Sequence, residues 1–429
     1  MIGKIKKIVN TNEKRRLLSN FFYLSILQIA NYVLPIITLP YLVRVLGPEK
    51  YGLIAFCQAF IQYFSILTDY GFNLSATREI AIHRDDNEKV SEIFCSVMMI
   101  KMAFLLLSII LLTLIVFAFS KFRVDAKLYY LAFGTVVGQV FFPVWFFQGM
   151  EKMKYITMLN IASKGIFTVL VFFTIHNTSD YIYYPIINSL GFFVAAILAI
   201  LIILKNFNIK FKIPKMYVIR HQLKEGWYIF ISTVAISFYT ISNTFILGLF
   251  TNNTIVGYYS GADKIIKAVE SILSPVSQAV YPHISKIANE SRAKAINFIR
   301  KIVLVTGGVN FALSLLIFVF AGTIVKILLG NEYIESINIL RIMAFLPFII
   351  GLSNIFGIQT MLTFDYKNAF SKILIAGSIM NIILSIIVVP LWKHIGTASA
   401  ILVTEVFITV SMFIYLNRHG IKLLERKNA

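Results

Sequence analysis

Long apolar runs, broken at intervals by short polar segments, dominate the pattern of this chain. A helix needs about 20 apolar residues to cross about 30 Å of hydrocarbon, and read this way the sequence gives about twelve spans. They fall at 17–43, 51–68, 93–119, 128–148, 157–175, 182–204, 227–250, 256–284, 302–329, 337–362, 370–391 and 396–416. The eighth breaks the pattern, because Asp263, Lys264, Lys267 and Glu270 sit in its middle. An ionisable group at the bilayer centre costs roughly 2.5–3.5 kcal/mol on insertion scales, so four in one span require an interior lined by water or protein. The expected fold class is an all-α integral membrane protein that encloses a polar pathway.

Composition agrees with that setting: 58% of the 429 residues are hydrophobic and only 14% charged, with a mean hydropathy of +0.79, far from the balance of a soluble domain. The net charge of +20 follows from topology. With a cytoplasmic N-terminus, only Arg44, Lys50, Lys121, Arg123, Lys127 and Lys393 of the Lys and Arg residues fall in outside loops. Lys101, Lys164, Lys264, Lys267, Lys326 and Arg341 lie within spans, and the other 28 of the 40 lie in inside segments. This asymmetry places both termini in the cytoplasm. No basic stretch comes with a soluble domain to present it, so a nucleic-acid partner is not expected.

The leader, 1–16, carries Lys4, Lys6, Lys7, Lys14, Arg15 and Arg16 ahead of an apolar run too long for a signal-peptide core, and it reads as the lead-in to a retained first span. Cys57 and Cys95 lie in or beside apolar segments and do not suggest a disulfide. The six histidines are scattered at span ends without metal-ligand spacing, and no phosphate-cradling glycine loop occurs. No metal or cofactor is therefore expected.

A shift of 205 residues aligns the two halves of the chain. It puts Gly52 on Gly257, Gln58 on Asp263, Gln62 on Lys267, Ser65 on Glu270 and Asp69 on Ser274. From Gln58 and Asp263 onward the positions step by three or four, so each helix carries one polar stripe, neutral until Asp69 in the first half and charged in the second. The preceding spans also show polar positions at helical spacing, Gln28, Asn31 and Thr38 in the first and Thr233, Thr240 and Asn243 in the seventh, although Pro35 and Pro40 have no proline counterparts there. The expected organisation is a leader (1–16), a six-helix bundle (17–204), a cytoplasmic linker (205–225), a second six-helix bundle (226–416) and a tail (417–429).

The stretch TLPYLVRVLGPEKYGLIAF at 38–56 and DYGFNLSATREIA at 69–81 resemble the start of bacterial polysaccharide flippases of the O-antigen (Wzx) type. VGYYSGADKIIKAVESILSPVSQAVYPHIS at 256–285 is similar to the block that opens the second half of that family. The resemblance implies a V of two bundles around a central cavity, as in the related multidrug and toxic-compound (MATE) exporters. It implies movement of an undecaprenyl-pyrophosphate-linked oligosaccharide to the periplasmic face by alternating access. The other partners implied are membrane lipids and, as candidates, a polysaccharide polymerase and a chain-length regulator. Lipid II flippases, another branch, carry two further helices for which there is no room after Leu416.

A lipid-linked sugar diphosphate presents an anionic head and many hydroxyls. Lys264 and Lys267 can supply cations to the phosphates, while Gln58, Gln62, Gln28 and Asn31 can supply neutral donors and acceptors to the sugar. The plainer alternative is that Asp263, Lys267 and Glu270, one turn apart, neutralise one another. Lys101 and Lys164 either snorkel or line a cavity. Glu405, mid-span, is either a neutral group in a packed interface or a carboxylate that couples transport to protons. Asp69 and Arg78 flank the DYGFN turn and read as a latch or gate at the cytoplasmic mouth. A polymerase would need a sizeable outside loop, which is missing here; a drug exporter would favour carboxylates over lysines in its cavity.

The twelve-span topology predicts periplasmic reporter activity for fusions at Asn177, Asn253 and Asn331 and cytoplasmic activity at Lys212 and Asn289. One reversal among the three outside sites breaks it.

Overall fold

The computed structural model describes residues 12–423. Lys4, Lys6 and Lys7 of the leader and residues 424–429 of the tail lie outside the described residues, as does the side chain of Ser274. The described chain is built from helices, of which eight are long and apolar enough to cross a membrane. The difference from twelve has two physical sources. Phe22–His83, with 62 residues, and Lys367–Arg418, with 52, each run through two expected spans. At 1.5 Å per residue they measure about 93 and 78 Å, against about 30 Å of hydrocarbon. Each is broken inside, at Gly47 (φ 67°, ψ 172°) and at Lys393 (φ 50°, ψ −128°). The seventh and eighth expected spans fold as Met216–Thr240, Ser242–Phe250 and Asn253–Glu290, which are helical but are not among the eight that are long and apolar enough.

We label the elements used below α1 (Asn12–Asp69), α2 (Phe72–His83), α3 (Asn87–Ala118), α4 (Ala126–Phe141), α5 (Val144–Gly149), α6 (Met153–Thr174), α7 (Tyr183–Asn206), α8 (Met216–Thr240), α9 (Ser242–Phe250), α10 (Asn253–Glu290), α11 (Arg292–Leu328), α12 (Ser336–Met343), α13 (Leu346–Asn354) and α14 (Lys367–Arg418). Local chemistry sets several of their ends. Asp86 caps α3, its side chain accepting the N–H groups of Glu88 and Lys89 at 3.0 Å each. Pro143 stops α4, because the residue before a proline is driven out of the helical region and Phe142 takes φ −102°, ψ 85°.

The chain forms two compact units, one of residues up to Thr38 with Cys57–Val234, the other of Leu39–Phe56 with residues from Ala235 onward. In the first unit, Phe94, Trp145, Phe146 and Phe147 are fully buried among Phe72, Ile80 and Ala199, so the short α5 is the plug onto which α2, α3 and α7 pack. Ring centroids of Phe94 and Phe146 lie 5.3 Å apart, edge to face.

In the second unit the outer part of α1 crosses the start of α10 at two glycines. A methyl group at Gly52 would fall 1.8 Å from the Asn253 carbonyl oxygen, and one at Gly257 would fall 1.9 Å from the Pro48 carbonyl oxygen. The contact is reciprocal: each glycine meets the residue four positions before the other, as a two-fold relation between repeats 205 residues apart requires. Lipid tails are as apolar as leucine, so helices in a bilayer associate by close backbone packing, which glycine permits.

Gly52→Ala or Gly257→Ala forces the two helices apart and is expected to remove about 1–3 kcal/mol of stability. Gly308→Ala, where an added methyl meets nothing within 4 Å, serves as control. Unfolding temperatures of the purified proteins in detergent check this; an unshifted Gly257→Ala would refute the crossing.

Candidate functional site

Helix α10 begins at Asn252, whose side chain accepts the Ile255 N–H at 3.0 Å. From that fixed start Asp263, Lys267 and Glu270 follow at steps of four and three and therefore share a face. All three line a cavity of about 300 Å³ within the second unit, together with Ser353 and Asn354 of α13 and Glu405 of α14. Its remaining wall is apolar, with Ile266, Met343, Ile350, Phe370, Ile401 and Met412 among its members.

Inside this cavity the Lys267 ammonium donates to Asp263 Oδ2 at 2.7 Å, a pair one helical turn apart. Asp263 is buried, whereas 52% of the Lys267 side chain remains exposed, so the ammonium keeps N–H groups open to a further acceptor. Glu405 is buried. The lining thus holds three carboxyl groups and one ammonium. Lys264 is exposed and is not part of it, because one residue on from Asp263 turns it about 100° around the helix axis.

The wall carrying Ser353 and Asn354 is irregular. α13 passes into a π-helix at Ile355–Leu362, and the Thr360 hydroxyl donates to the Ile355 carbonyl at 2.7 Å. Asn354, just before the π turn, and Ile358, within it, both line the cavity; such segments interrupt α-helices frequently at functional positions. The Ser353–Asn354 pair inside an apolar span was a signal available in the sequence, although it does not say which face the pair occupies.

The other sequence-designated residues lie in the first unit. Gln58 is half-buried and its Nε2 donates to the Tyr184 hydroxyl at 3.1 Å. Gln62 is exposed, and Gln28 and Asn31 are half-buried. Asp69 takes Lys101 as its partner, at 3.5 Å, and the Lys101 side chain is buried. Arg78 is exposed and makes no ion pair with Asp69 among the described residues. Between them the helix is interrupted at Tyr70 (φ 48°) and Gly71 (φ 79°).

Residues 17–288 match the family of polysaccharide biosynthesis proteins. The chain belongs to this family. It is 37% identical over 411 residues to an Escherichia coli K12 protein named "Putative O-antigen transporter", an alignment that covers 96% of this chain and 99% of that one. A Shigella dysenteriae protein of the same name is 28% identical over 403 residues, with 92% and 98% covered. Among solved structures, the fold is similar to an inward-facing multidrug resistance MATE transporter, with a TM-score of 0.67, 16% identity and 96% of this chain and 100% of that one covered. It is also similar to the lipid II flippase MurJ in an inward closed conformation, with a TM-score of 0.65, 16% identity and 92% and 90% covered. This family member is thus an all-α membrane protein of MATE-like fold.

Cysteines introduced at Gln62 and Lys267, in a background lacking Cys57 and Cys95, should react with small water-soluble thiol reagents. Phe60 and Ile265, only 5% and 6% exposed, should react slowly when replaced in the same way. Equal rates at all four positions would show that the polar stripes do not border water.

Proposed function

We propose that the protein is a transporter, not an enzyme, and specifically a flippase. It carries undecaprenyl-pyrophosphate-linked repeat units of O-antigen or a related surface polysaccharide from the cytoplasmic to the periplasmic leaflet of the inner membrane. The observation that carries this reading is the charged cavity beside α10, in a chain with a near-full-length relative named as an O-antigen transporter. Twelve spans in two six-helix bundles, 17–204 and 226–416, with both termini cytoplasmic, supply the frame for alternating access. Polymerase and chain-length regulator are its candidate partners.

In this reading Lys267 meets the diphosphate, while Gln58, Gln62, Gln28 and Asn31 meet the sugar; Lys264, outside the cavity lining, takes no part in holding the phosphates there. Lys267 is already bonded to Asp263, so a diphosphate that does more than use the open N–H groups and draws the ammonium toward itself leaves that carboxylate without its partner. Breaking such a pair at one end is strongly unfavourable. Anion binding is therefore linked to uptake of a proton or another cation by Asp263 and its neighbours Glu270 and Glu405, which is how these carboxyl groups couple transport. Asp69, with Lys101, and Arg78 act as gating groups at the cytoplasmic end.

The excess of carboxyl groups over ammonium groups in the cavity favours one second reading, an exporter of organic cations. Lipid extracts separate the two. An isogenic deletion should accumulate lipid-linked repeat units on the cytoplasmic side if the chain is a flippase, and should leave them unchanged if it exports cations.

Lys267→Arg should restore surface polysaccharide in that deletion strain, whereas Lys267→Ala should lower it by about tenfold or more with the membrane level of protein unchanged. An Asp263→Asn, Lys267→Met double substitution removes both partners together and should preserve folding. Full export by the double variant would make the pair structural.

A further inference from the structure

The first unit holds a second polar constellation, shared by three helices. The Gln58–Tyr184 bond of 3.1 Å joins α1 to α7. One turn further along the same face of α7, Asn188 Nδ2 donates to Thr135 Oγ1 of α4 at 3.4 Å. The Thr135 hydroxyl also lies 3.3 Å from that of Ser189, which donates in turn to the Leu131 carbonyl at 3.0 Å. The Phe167 ring of α6 stands edge-on to Tyr184, with centroids 5.2 Å apart. Gln58, Tyr184, Asn188 and Thr135 are all half-buried, neither sealed in the core nor fully open.

Half-exposed amides and hydroxyls within spanning helices cannot be left facing hydrocarbon, which offers no hydrogen bonds. Their open side must meet water or a polar ligand. Each amide commits one N–H to the bonds above, and an amide carries a second N–H and a carbonyl oxygen with two lone pairs. None of the four side chains bears a charge. A neutral array of donors and acceptors beside aromatic rings suits vicinal hydroxyls and the apolar face of a pyranose, not a phosphate or an organic cation. The array is also held rigid. At Gly138 a methyl group would lie 2.6 Å from Phe192 Cβ, so α4 and α7 pack too closely to slide, as a specificity site requires.

We infer that Gln58, Tyr184, Asn188 and Thr135 form a carbohydrate subsite of the first unit, which binds a sugar ring of the repeat unit and reads its hydroxyl pattern. This rests on the flippase reading and adds to it a place where one polysaccharide is told from another. Charge recognition then belongs to the α10 cavity and sugar recognition to this wall, so the two can fail separately.

The test uses the full chain in lipid nanodiscs with two probes: the oligosaccharide released by mild acid from the lipid-linked pool of the producing strain, and undecaprenyl pyrophosphate without sugar. A Gln58→Leu, Tyr184→Phe double variant replaces both partners of one hydrogen bond by apolar groups of similar shape, a change close to neutral for folding. It should weaken oligosaccharide binding by about tenfold or more, with undecaprenyl pyrophosphate binding and unfolding temperature unchanged. Thr135→Val with Asn188→Leu is the second variant, decides the matter if the first does not fold, and carries the same expectation. Wild-type affinity for the oligosaccharide in the folded variants overturns the subsite. Binding of undecaprenyl pyrophosphate alone by the wild type overturns the subsite and leaves the flippase reading standing; binding of neither probe brings down both.

Discussion

A polar side chain inside a bilayer must find a partner that is not lipid, and the placement of polar groups in both units follows from that demand. Where the groups are neutral, as along α7, they bond one another across helices and keep spare capacity toward an open side. Where they are charged, as along α10, they pair at close range and border a cavity. Lys101 shows the same rule deep in the first unit, where a buried ammonium is tolerated because Asp69 reaches it. Neither arrangement would survive on a helix surface facing acyl chains, since every unsatisfied group there costs several kcal/mol.

Close backbone approach is the second half of the same problem. Without a hydrophobic force between helices in lipid, the crossing of α1 and α10 holds through the contacts that Gly52 and Gly257 permit. These two positions coincide under the 205-residue shift, and their reciprocal packing makes the internal repeat visible as geometry. The kink at Gly47 precedes this crossing and lies within the 39–56 stretch that α1 contributes to the second unit.

Much of this was legible in the sequence, for a physical reason: a bilayer forces helix, and hydropathy then sets where helices run. The polar stripe of Asp263, Lys267 and Glu270 was readable because helical spacing alone puts them on one face, and Glu405 because a lone mid-span carboxylate must face something polar. The same helical spacing turns Lys264 off the face its neighbours share, but the sequence could not show that Asp69 bonds Lys101 and not Arg78, since that depends on how the chain turns at Tyr70 and Gly71 and on which helices pack. Tyr184, Asn188 and Thr135 stayed hidden for a related reason. Each is a single polar residue at ordinary spacing in an apolar span, and only the packing of α4, α6 and α7 gathers them. The merging of expected spans into helices of 62 and 52 residues is a third case, because a single residue such as Lys393 can turn the backbone without leaving a polar segment behind.

The pairing of Lys267 with Asp263 changes what the cavity can do with an anion. A free ammonium would bind a diphosphate tightly and equally well at every stage of a cycle, which moves nothing, because a ligand shifts a conformational equilibrium only by its differential affinity for the two states. An ammonium shared with a carboxylate binds the diphosphate only as far as that carboxylate is compensated by a proton or cation, and Glu270 and Glu405 on the same wall offer further positions for that charge. Affinity for the anion then depends on what the neighbouring carboxyl groups hold, and it can be high on one side of the membrane and low on the other. The intrahelical pair that reads as mere self-neutralisation is thus the element that can make anion binding reversible, whereas neutral side chains such as Gln58, Tyr184 and Asn188 offer hydrogen bonds without adding charge to the hold on an anion.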